Sequence, residues 1–117
     1  MKDYLLLFRG GDILRLDAQK DPDQWQAHMM KWKSWMENLG KEGKFVGGLP
    51  LSPEGNVING SKKAVTDGPF TEGKEVVGGY LIIKAGDREE AVKLSKDCPI
   101  LEHEGSVEVR ELLPMNM

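Results

Sequence analysis

The sequence predicts one α+β domain, and three observations support this. Its 117 residues are enough for a single domain and no more. Two segments combine a helix start signal with helical spacing of apolar residues, and several short apolar or alternating segments between Gly- and Pro-rich turns are typical of strands. We find no internal repeat, low-complexity stretch or linker, so residues 1–117 are predicted to form one domain.

The first strand and the first helix are predicted at residues 4–8 and from residue 21 onward. Residues 4–8 are nearly all apolar, which is typical of a central strand covered on both faces. Asp21 is the predicted N-cap of the helix, and Pro22 occupies its first position. Trp35 lies off the predicted apolar face and is expected to be exposed or at an interface. That face consists of residues spaced four and three apart: Trp25, Met29, Trp32, Met36 and Leu39.

The middle of the chain is predicted to contain a strand and a hairpin. The strand covers residues 44–51, and its pair Gly47-Gly48 indicates a bulge or a close approach of another backbone. Asn59-Gly60 is a favourable hairpin turn between two short strands. Residues 67–70, Asp-Gly-Pro-Phe, are predicted to form a second turn before the next strand at residues 75–84.

The last third of the chain is predicted to contain a helix and a strand. Asp87 is the expected N-cap of the helix, with Glu90 three residues further on, and Cys98-Pro99 ends it. Strict alternation of apolar and polar residues over 106–112 predicts the final strand.

The resulting order is strand, helix, strand, extra hairpin, strand, helix, strand. This is the ferredoxin-like βαββαβ order with an elaborated middle, and it places both helices on one face of an antiparallel sheet. The central strands show no polar alternation, so the opposite face also needs a cover. We expect a second copy of the chain there, in a homodimer with two-fold symmetry.

Composition excludes several functional classes. The net charge of −3 and the absence of a basic stripe predict no nucleic-acid partner. The apolar run at residues 4–8 is too short for a signal-peptide core or a membrane span, so no membrane association is expected. The single cysteine, Cys98, rules out an internal disulfide, and a cytoplasmic location is the simplest interpretation.

A motif in the second half resembles a known family. Residues 65–75 contain Asp-Gly-Pro-Phe and are followed by Gly-Gly-Tyr at 78–80, and this combination resembles the DGPF family within the wider YCII-related group. Residues 105–110 and 4–8 look like the last and first strands of that family, so the resemblance covers nearly the whole chain. It implies a ferredoxin-like fold that pairs into a dimeric α/β barrel, and it implies no settled activity.

The resemblance also implies a pair of site residues. In the wider group, a histidine on the first helix and an aspartate near the end of the second helix are suggested to act together. His28 and Asp97 match these two positions.

The residues themselves suggest candidates for proton transfer. His28 lies beside the apolar helix face, between Trp25 and Trp32, where imidazole can act as general acid or base or can simply be buried at the edge of the core. Asp67 can form an Asx-turn within its own motif or present a carboxylate as a base. Asp97 either orients His28 or is an exposed residue at a helix end.

Candidate ligand-binding residues come from the strand ends and the first helix. Glu108 and Arg110 point to the same side of the last strand, where they can line a polar cavity or set the register of a dimer. Arg9 either binds an anion in the same place or is an ordinary exposed arginine. Trp32 and Tyr80 are expected at a cleft near the first helix.

No metal or cofactor is predicted. His103 lies between Glu102 and Glu104, but three adjacent residues cannot form a closed metal site. Gly47-Gly48 and Gly78-Gly79 lack the strand-to-helix context of a phosphate loop.

Two functions remain open. The first is a small-molecule-binding or regulatory domain, with its ligand near the first helix and the Asp-Gly-Pro-Phe motif. The alternative is a cofactor-free enzyme of lyase or isomerase type that uses His28 with Asp67 or Asp97.

Overall fold

The computed structural model describes residues 1–10, 22–52, 54–68 and 76–115. The elements follow the predicted order, with a short 3₁₀ helix added before the last strand. They are β1 (Lys2–Arg9), α1 (Pro22–Lys41), β2 (Phe45–Pro50), β3 (Gly55–Asn59), β4 (Ala64–Gly68), β5 (Val77–Ala85), α2 (Arg88–Ser95), the 3₁₀ helix (Pro99–His103) and β6 (Ser106–Glu111).

Four strands form the main sheet in the order β2-β5-β1-β6, with every neighbouring pair antiparallel. In this order β1 and β5 are central, and the chain crosses from β1 through α1 to the edge strand β2. This is the ferredoxin-like arrangement, and the predicted α+β class is therefore confirmed.

The sheet buries one of its faces under the helices. In β1, Tyr4, Leu6 and Phe8 are buried, whereas Leu5 and Leu7, on the opposite face, are only half-buried. In β5, Leu81, Ile83 and Ala85 repeat the pattern. The single chain therefore covers only one of the two faces that the apolar run at residues 4–8 was predicted to bury.

Helix α1 buries the predicted apolar face only in part. Its buried residues are His28, Trp35 and Leu39, while Trp32 and Met36 are half-buried beside the core. Exposure of Trp35, one of the two expected placements, is contradicted, because the residue is buried and its indole N–H donates to the backbone oxygen of Leu94 at 3.1 Å. This hydrogen bond to α2 satisfies the polar atom and lets the ring enter the core.

Helix α2 begins as predicted. The carboxylate of Asp87 accepts a hydrogen bond from the Glu90 backbone N–H at 2.8 Å, which is an N-cap. The helix ends at Ser95, and the residues that follow Cys98 form the 3₁₀ helix, which the sequence did not predict. Cys98 is buried, and that burial raises the pKa of its thiol to about 12.

The glycine pair of β2 has the predicted role. The register with β5 shifts between Phe45 and Gly47, which is a bulge. A Cβ on Gly48 would lie 2.3 Å from the Tyr80 backbone oxygen. Only glycine therefore fits at position 48.

Strands β3 and β4 pair with each other in a separate two-stranded sheet. The predicted hairpin is confirmed, but its loop is longer than Asn59-Gly60, since residues 60–63 connect the strands and Gly60 and Lys63 both have positive φ. Asp67 and Gly68 belong to β4, whereas the turn was predicted to begin at Asp67. The rest of that predicted turn lies outside the described residues.

None of the helices in the described part of the chain is long and apolar enough to cross a membrane.

Candidate functional site

A cleft of about 340 Å³ lies between α1 and the sheet. Its walls are mainly apolar and come from both layers, and the backbones of Gly48 and Gly79 reach it without side chains. The larger residues that line it include Phe8, Met29, Trp32, Met36, Leu81 and Ile100. A cavity of this size and lining is suited to a small apolar molecule.

Trp32 connects the wall of the cleft to His28. Its ring meets Phe8 edge-to-face with centroids 5.1 Å apart, and it meets Trp35 in the same way at 5.8 Å. Its indole Nε1–H donates to Nε2 of His28 at 2.8 Å. These contacts hold the indole in one orientation beside the cleft.

His28 is almost fully buried, with 3% of its surface exposed. Its second ring nitrogen, Nδ1, lies 3.1 Å from Nε2 of His103 on the 3₁₀ helix. An indole N–H can only donate, so Nε2 of His28 must be an acceptor, and the proton of the neutral ring is on Nδ1. His28 therefore donates to His103, and the hydrogen bonds run from Trp32 through His28 to His103.

The surroundings favour the neutral form of His28. Burial is the main cause that lowers its pKa below the ordinary value of 6.5, and the charges of His103 and Lys31 lower it further, while Glu102 opposes them. Lys31 and Glu102 form an ion pair of 2.9 Å between α1 and the 3₁₀ helix. The hydrogen bond from Lys31 lowers the pKa of the Glu102 carboxyl.

The hydrogen bonds around His28 do not favour a metal ion. A histidine that binds a metal usually donates its other ring N–H to an acceptor, whereas Nε2 of His28 receives a hydrogen bond from Trp32. Within the described ranges, no group of three or more His, Cys, Asp or Glu side chains is arranged to hold a metal ion.

The structure places the predicted catalytic residues apart. Asp97 is exposed beyond the end of α2, in an open groove on the outer side of the helices. Asp67 is exposed in the hairpin strand β4. Both ring nitrogens of His28 are hydrogen-bonded to other residues, so among the described residues His28 pairs with His103 and not with either aspartate.

The predicted ligand-binding residues divide between two places. Trp32 and Tyr80 line the cleft. Arg9 and Glu108 form an ion pair through Nη1 and Oε1, and Nε of Arg110 lies 3.8 Å from Oε2 of Glu108. These three residues lie on the opposite side of the sheet, because Glu108 is in register with Leu7 on the face away from the helices.

Sequence reasoning missed the partnership between His28 and His103. The two residues are 75 positions apart, and no local pattern connects them. The one available signal was that the chain contains only two histidines, one on the first predicted helix and one shortly after the second.

Comparisons with known proteins bear on the family of this chain. A solved structure of 5-chloro-2-hydroxyhydroquinone dehydrochlorinase from Burkholderia phenoliruptrix AC1100, in complex with 2,5-dihydroxybenzoquinone, is similar at 19% identity and a TM-score of 0.46, over 94% of this chain and 93% of that one. No curated protein matches the chain. The model of the YCII-related domain matches residues 13–116, which is most of the sequence. The chain therefore belongs to the YCII-related domain family, as its Asp-Gly-Pro-Phe motif had indicated.

Proposed function

We propose that this protein binds a small, largely apolar molecule in the cleft between α1 and the sheet. The observation that carries the proposal is the cleft itself, about 340 Å³ in volume and lined by aromatic, methionine and leucine side chains. Small-molecule sites usually combine such walls with a few polar groups that orient the ligand. Here the polar groups available at the walls are backbone atoms of Gly78, Gly79 and Tyr80, because the Tyr80 side chain is in register with Leu7 on the opposite face of the sheet.

Filling the cleft tests this proposal. We choose 1-naphthol as the probe, because it is apolar and has one hydroxyl group. Met29 lines the cleft, whereas the neighbouring Met30 is 54% exposed and does not. We expect Met29→Trp to weaken 1-naphthol binding by about tenfold or more, and Met30→Trp to leave it unchanged, as measured by calorimetric titration. Equal effects of the two substitutions, or no binding to the unaltered protein, would contradict the proposal.

A second candidate is a cofactor-free proton-transfer enzyme that uses His28. The pair formed by buried His28 and half-buried His103 favours this candidate, since imidazole is a common general acid or base. The hydrogen bonds around His28 weigh against it, because both ring nitrogens already have partners. Catalysis would require one of these bonds to break when substrate binds.

Turnover separates the two candidates. The protein is incubated with a pool of metabolites, and the mixture is analysed by mass spectrometry before and after. A compound that is consumed by the protein but not by the His28→Gln variant would establish the enzyme. A compound that is retained but not consumed would support the binding domain.

We further propose that the protein is a homodimer in which a second copy covers the open face of the sheet. On that face Leu5 and Leu7 are half-buried, and Leu49 of the edge strand is 67% exposed. The ion pair of Arg9 and Glu108 lies beside these apolar residues, where it would set the register of the two copies. An apolar sheet face with charges at its side is suited to a two-fold contact.

Sedimentation equilibrium tests the dimer. We expect twice the mass of one chain for the unaltered protein and the mass of a single chain for Leu7→Asp, because that substitution places a charge in the centre of the contact. Ile58→Asp is the control, since Ile58 is exposed on the separate hairpin. A monomeric parent protein, or a dimer unaffected by Leu7→Asp, would contradict this arrangement.

The composition supports the remaining expectations. The small net negative charge argues against a nucleic-acid partner, and the single reduced cysteine suits the cytoplasm.

A further inference from the structure

Trp32, His28 and His103 form a hydrogen-bonded relay in which every proton position is determined. The indole Nε1–H of Trp32 donates to Nε2 of His28 at 2.8 Å, and Nδ1 of His28 is 3.1 Å from Nε2 of His103. Neutral imidazole has one N–H and one acceptor nitrogen. His28 therefore has its proton on Nδ1 and donates it to Nε2 of His103, whose own proton must be on Nδ1.

No additional proton fits into this relay. Protonation of His28 places an N–H at Nε2, facing the indole N–H of Trp32. Protonation of His103 places an N–H at Nε2, facing the Nδ1–H of His28. If His28 then moves its proton to Nε2, that N–H again faces Trp32. Each protonated state thus breaks at least one of the two hydrogen bonds.

We propose that the relay is a pH-operated latch, which ties Trp32 to the 3₁₀ helix through His28 at neutral pH and opens when either imidazole takes up a proton. The latch connects α1, which contributes Trp32 and His28, to the 3₁₀ helix, which contributes His103. Imidazole is the side chain whose ordinary pKa allows such a change near physiological pH.

Two charged side chains near the latch act on His28 in opposite ways. In the described chain, the charged side chains that act on His28 are Lys31 on α1 and Glu102 on the 3₁₀ helix, which pair with each other at 2.9 Å. The lysine disfavours a proton on His28 and the glutamate favours one, so their effects oppose each other. Burial of His28 is the main cause that lowers its pKa, and the neutral ring keeps the latch closed at neutral pH.

Opening the latch has a consequence for the cleft, and this consequence rests on the proposed function. Trp32 is a wall of the cleft, and its bond to His28 is the polar contact that fixes its orientation. Once the bond is lost, the ring keeps its edge-to-face contacts with Phe8 and Trp35, which are apolar and allow the indole to rotate more freely than a hydrogen bond does. We therefore expect 1-naphthol to bind more weakly in acid than at neutral pH.

Nuclear magnetic resonance of the ¹⁵N-labelled protein, without any ligand, tests the latch. The chain has two histidines and three tryptophans, so the ring signals are few and can be assigned with Trp32→Phe and Trp25→Phe. At about pH 8 we expect both histidines in the form protonated at Nδ1. As the pH falls to about 5, the Trp32 indole signal should shift when its bond to His28 is lost, through protonation of His28 or movement of the His28 proton to Nε2. The Trp35 indole should not shift, because its acceptor is the Leu94 carbonyl.

The result that overturns the latch is His28 protonated at Nε2 at pH about 8, or a Trp32 signal that does not move while the histidines titrate. The double variant His28→Gln/His103→Gln adds a second check, because its amides can bridge Trp32 and the 3₁₀ helix but cannot titrate. In this variant the Trp32 response to acid should be lost, and a persisting response would contradict the proposal. If the variant does not fold, the measurement on the unaltered protein still decides.

The latch and the cleft can fail independently. A latch that responds to acid in a protein that never binds 1-naphthol would remove the cleft proposal alone. Binding of 1-naphthol with equal affinity at both pH values, together with an unresponsive Trp32, would remove the latch alone.

Discussion

Gly47 and Gly48 are neighbours in β2, yet they have opposite surroundings. A Cβ on Gly48 would lie 2.3 Å from the backbone oxygen of Tyr80 and 2.7 Å from Cα of Leu81, whereas a Cβ on Gly47 would meet nothing within 4 Å. Backbone atoms of β5 cannot retreat without disturbing the hydrogen bonds between β2 and β5. We therefore expect Gly48→Ala to lower the free energy of unfolding by about 3 kcal/mol or more.

Gly47→Ala is the matched control. It should change the free energy of unfolding by less than about 1 kcal/mol, because it only restricts the unfolded chain and enters open space. Urea unfolding at one fixed protein concentration measures both variants. Similar losses for the two glycines would mean that the close approach of β5 does not limit position 48.

The His28 residue shows the limit of local reasoning. Its place beside the apolar helix face was predicted, and the structure shows it buried there. Its hydrogen-bond partner was not predicted, because His103 comes from the 3₁₀ helix 75 residues away. The family resemblance implied that His28 pairs with Asp97. The residue pattern within either helix cannot show whether side chains on two different helices meet.

At the scale of elements, α2 provides a direct test of its start signal. Asp87 caps the helix through the Glu90 N–H, and Asp97 is an exposed aspartate just beyond the other end. Asp87→Ala should lower the free energy of unfolding by about 1 kcal/mol, since the N–H loses its acceptor. Asp97→Ala should cost nothing or stabilise slightly, because a negative charge near a helix C-terminus is unfavourable.

Thermal or urea unfolding of the two aspartate variants distinguishes the roles. A large loss for Asp97→Ala would point instead to a structural contact of that carboxylate. Unchanged stability of Asp87→Ala would mean that water replaces the cap without cost.

Helix α1 shows why the orientation of an element is harder to predict than its existence. Its extent over residues 22–41 follows the apolar spacing, which is local, whereas the predicted N-cap Asp21 lies outside the described residues. Apolar and aromatic residues occupy more than one stripe of the helix, so the pattern alone allows several rotations. The acceptor that α2 offers to Trp35 selects the rotation that buries Trp35 with His28 and Leu39.

For the whole molecule, we expect stability to fall in mild acid. The pKa of His28 is lowered in the folded state, mainly by burial, so the unfolded chain binds its proton more readily. The free energy of unfolding should therefore be greatest above the ordinary histidine pKa of 6.5 and should decrease as the pH falls below it. One proton limits the slope to about 1.4 kcal/mol per pH unit.

Urea unfolding at about pH 8 and at about pH 5.5 measures this decrease, with the protein concentration held constant. His28→Gln should flatten the dependence, because the replaced group does not titrate. An equal decrease in the parent protein and in His28→Gln would assign the acid sensitivity to other groups.

The order of the elements, the α2 cap, the hairpin and the bulge at the glycine pair were all determined by the sequence itself. Each of these features depends on residues within a few positions of one another, so periodicity and turn chemistry are sufficient to predict them. Family membership followed in the same way from a short continuous motif.

The tertiary structure alone decided the rotation of α1, the partner of His28 and the separation of the predicted site residues. Packing α1 against α2, the sheet and the 3₁₀ helix brings together side chains from distant positions, such as Trp35 with Leu94 and His28 with His103. The same packing leaves Asp67 on the hairpin and Asp97 on the outer surface. These contacts arise from several elements at once, and for that reason no single stretch of sequence encodes them.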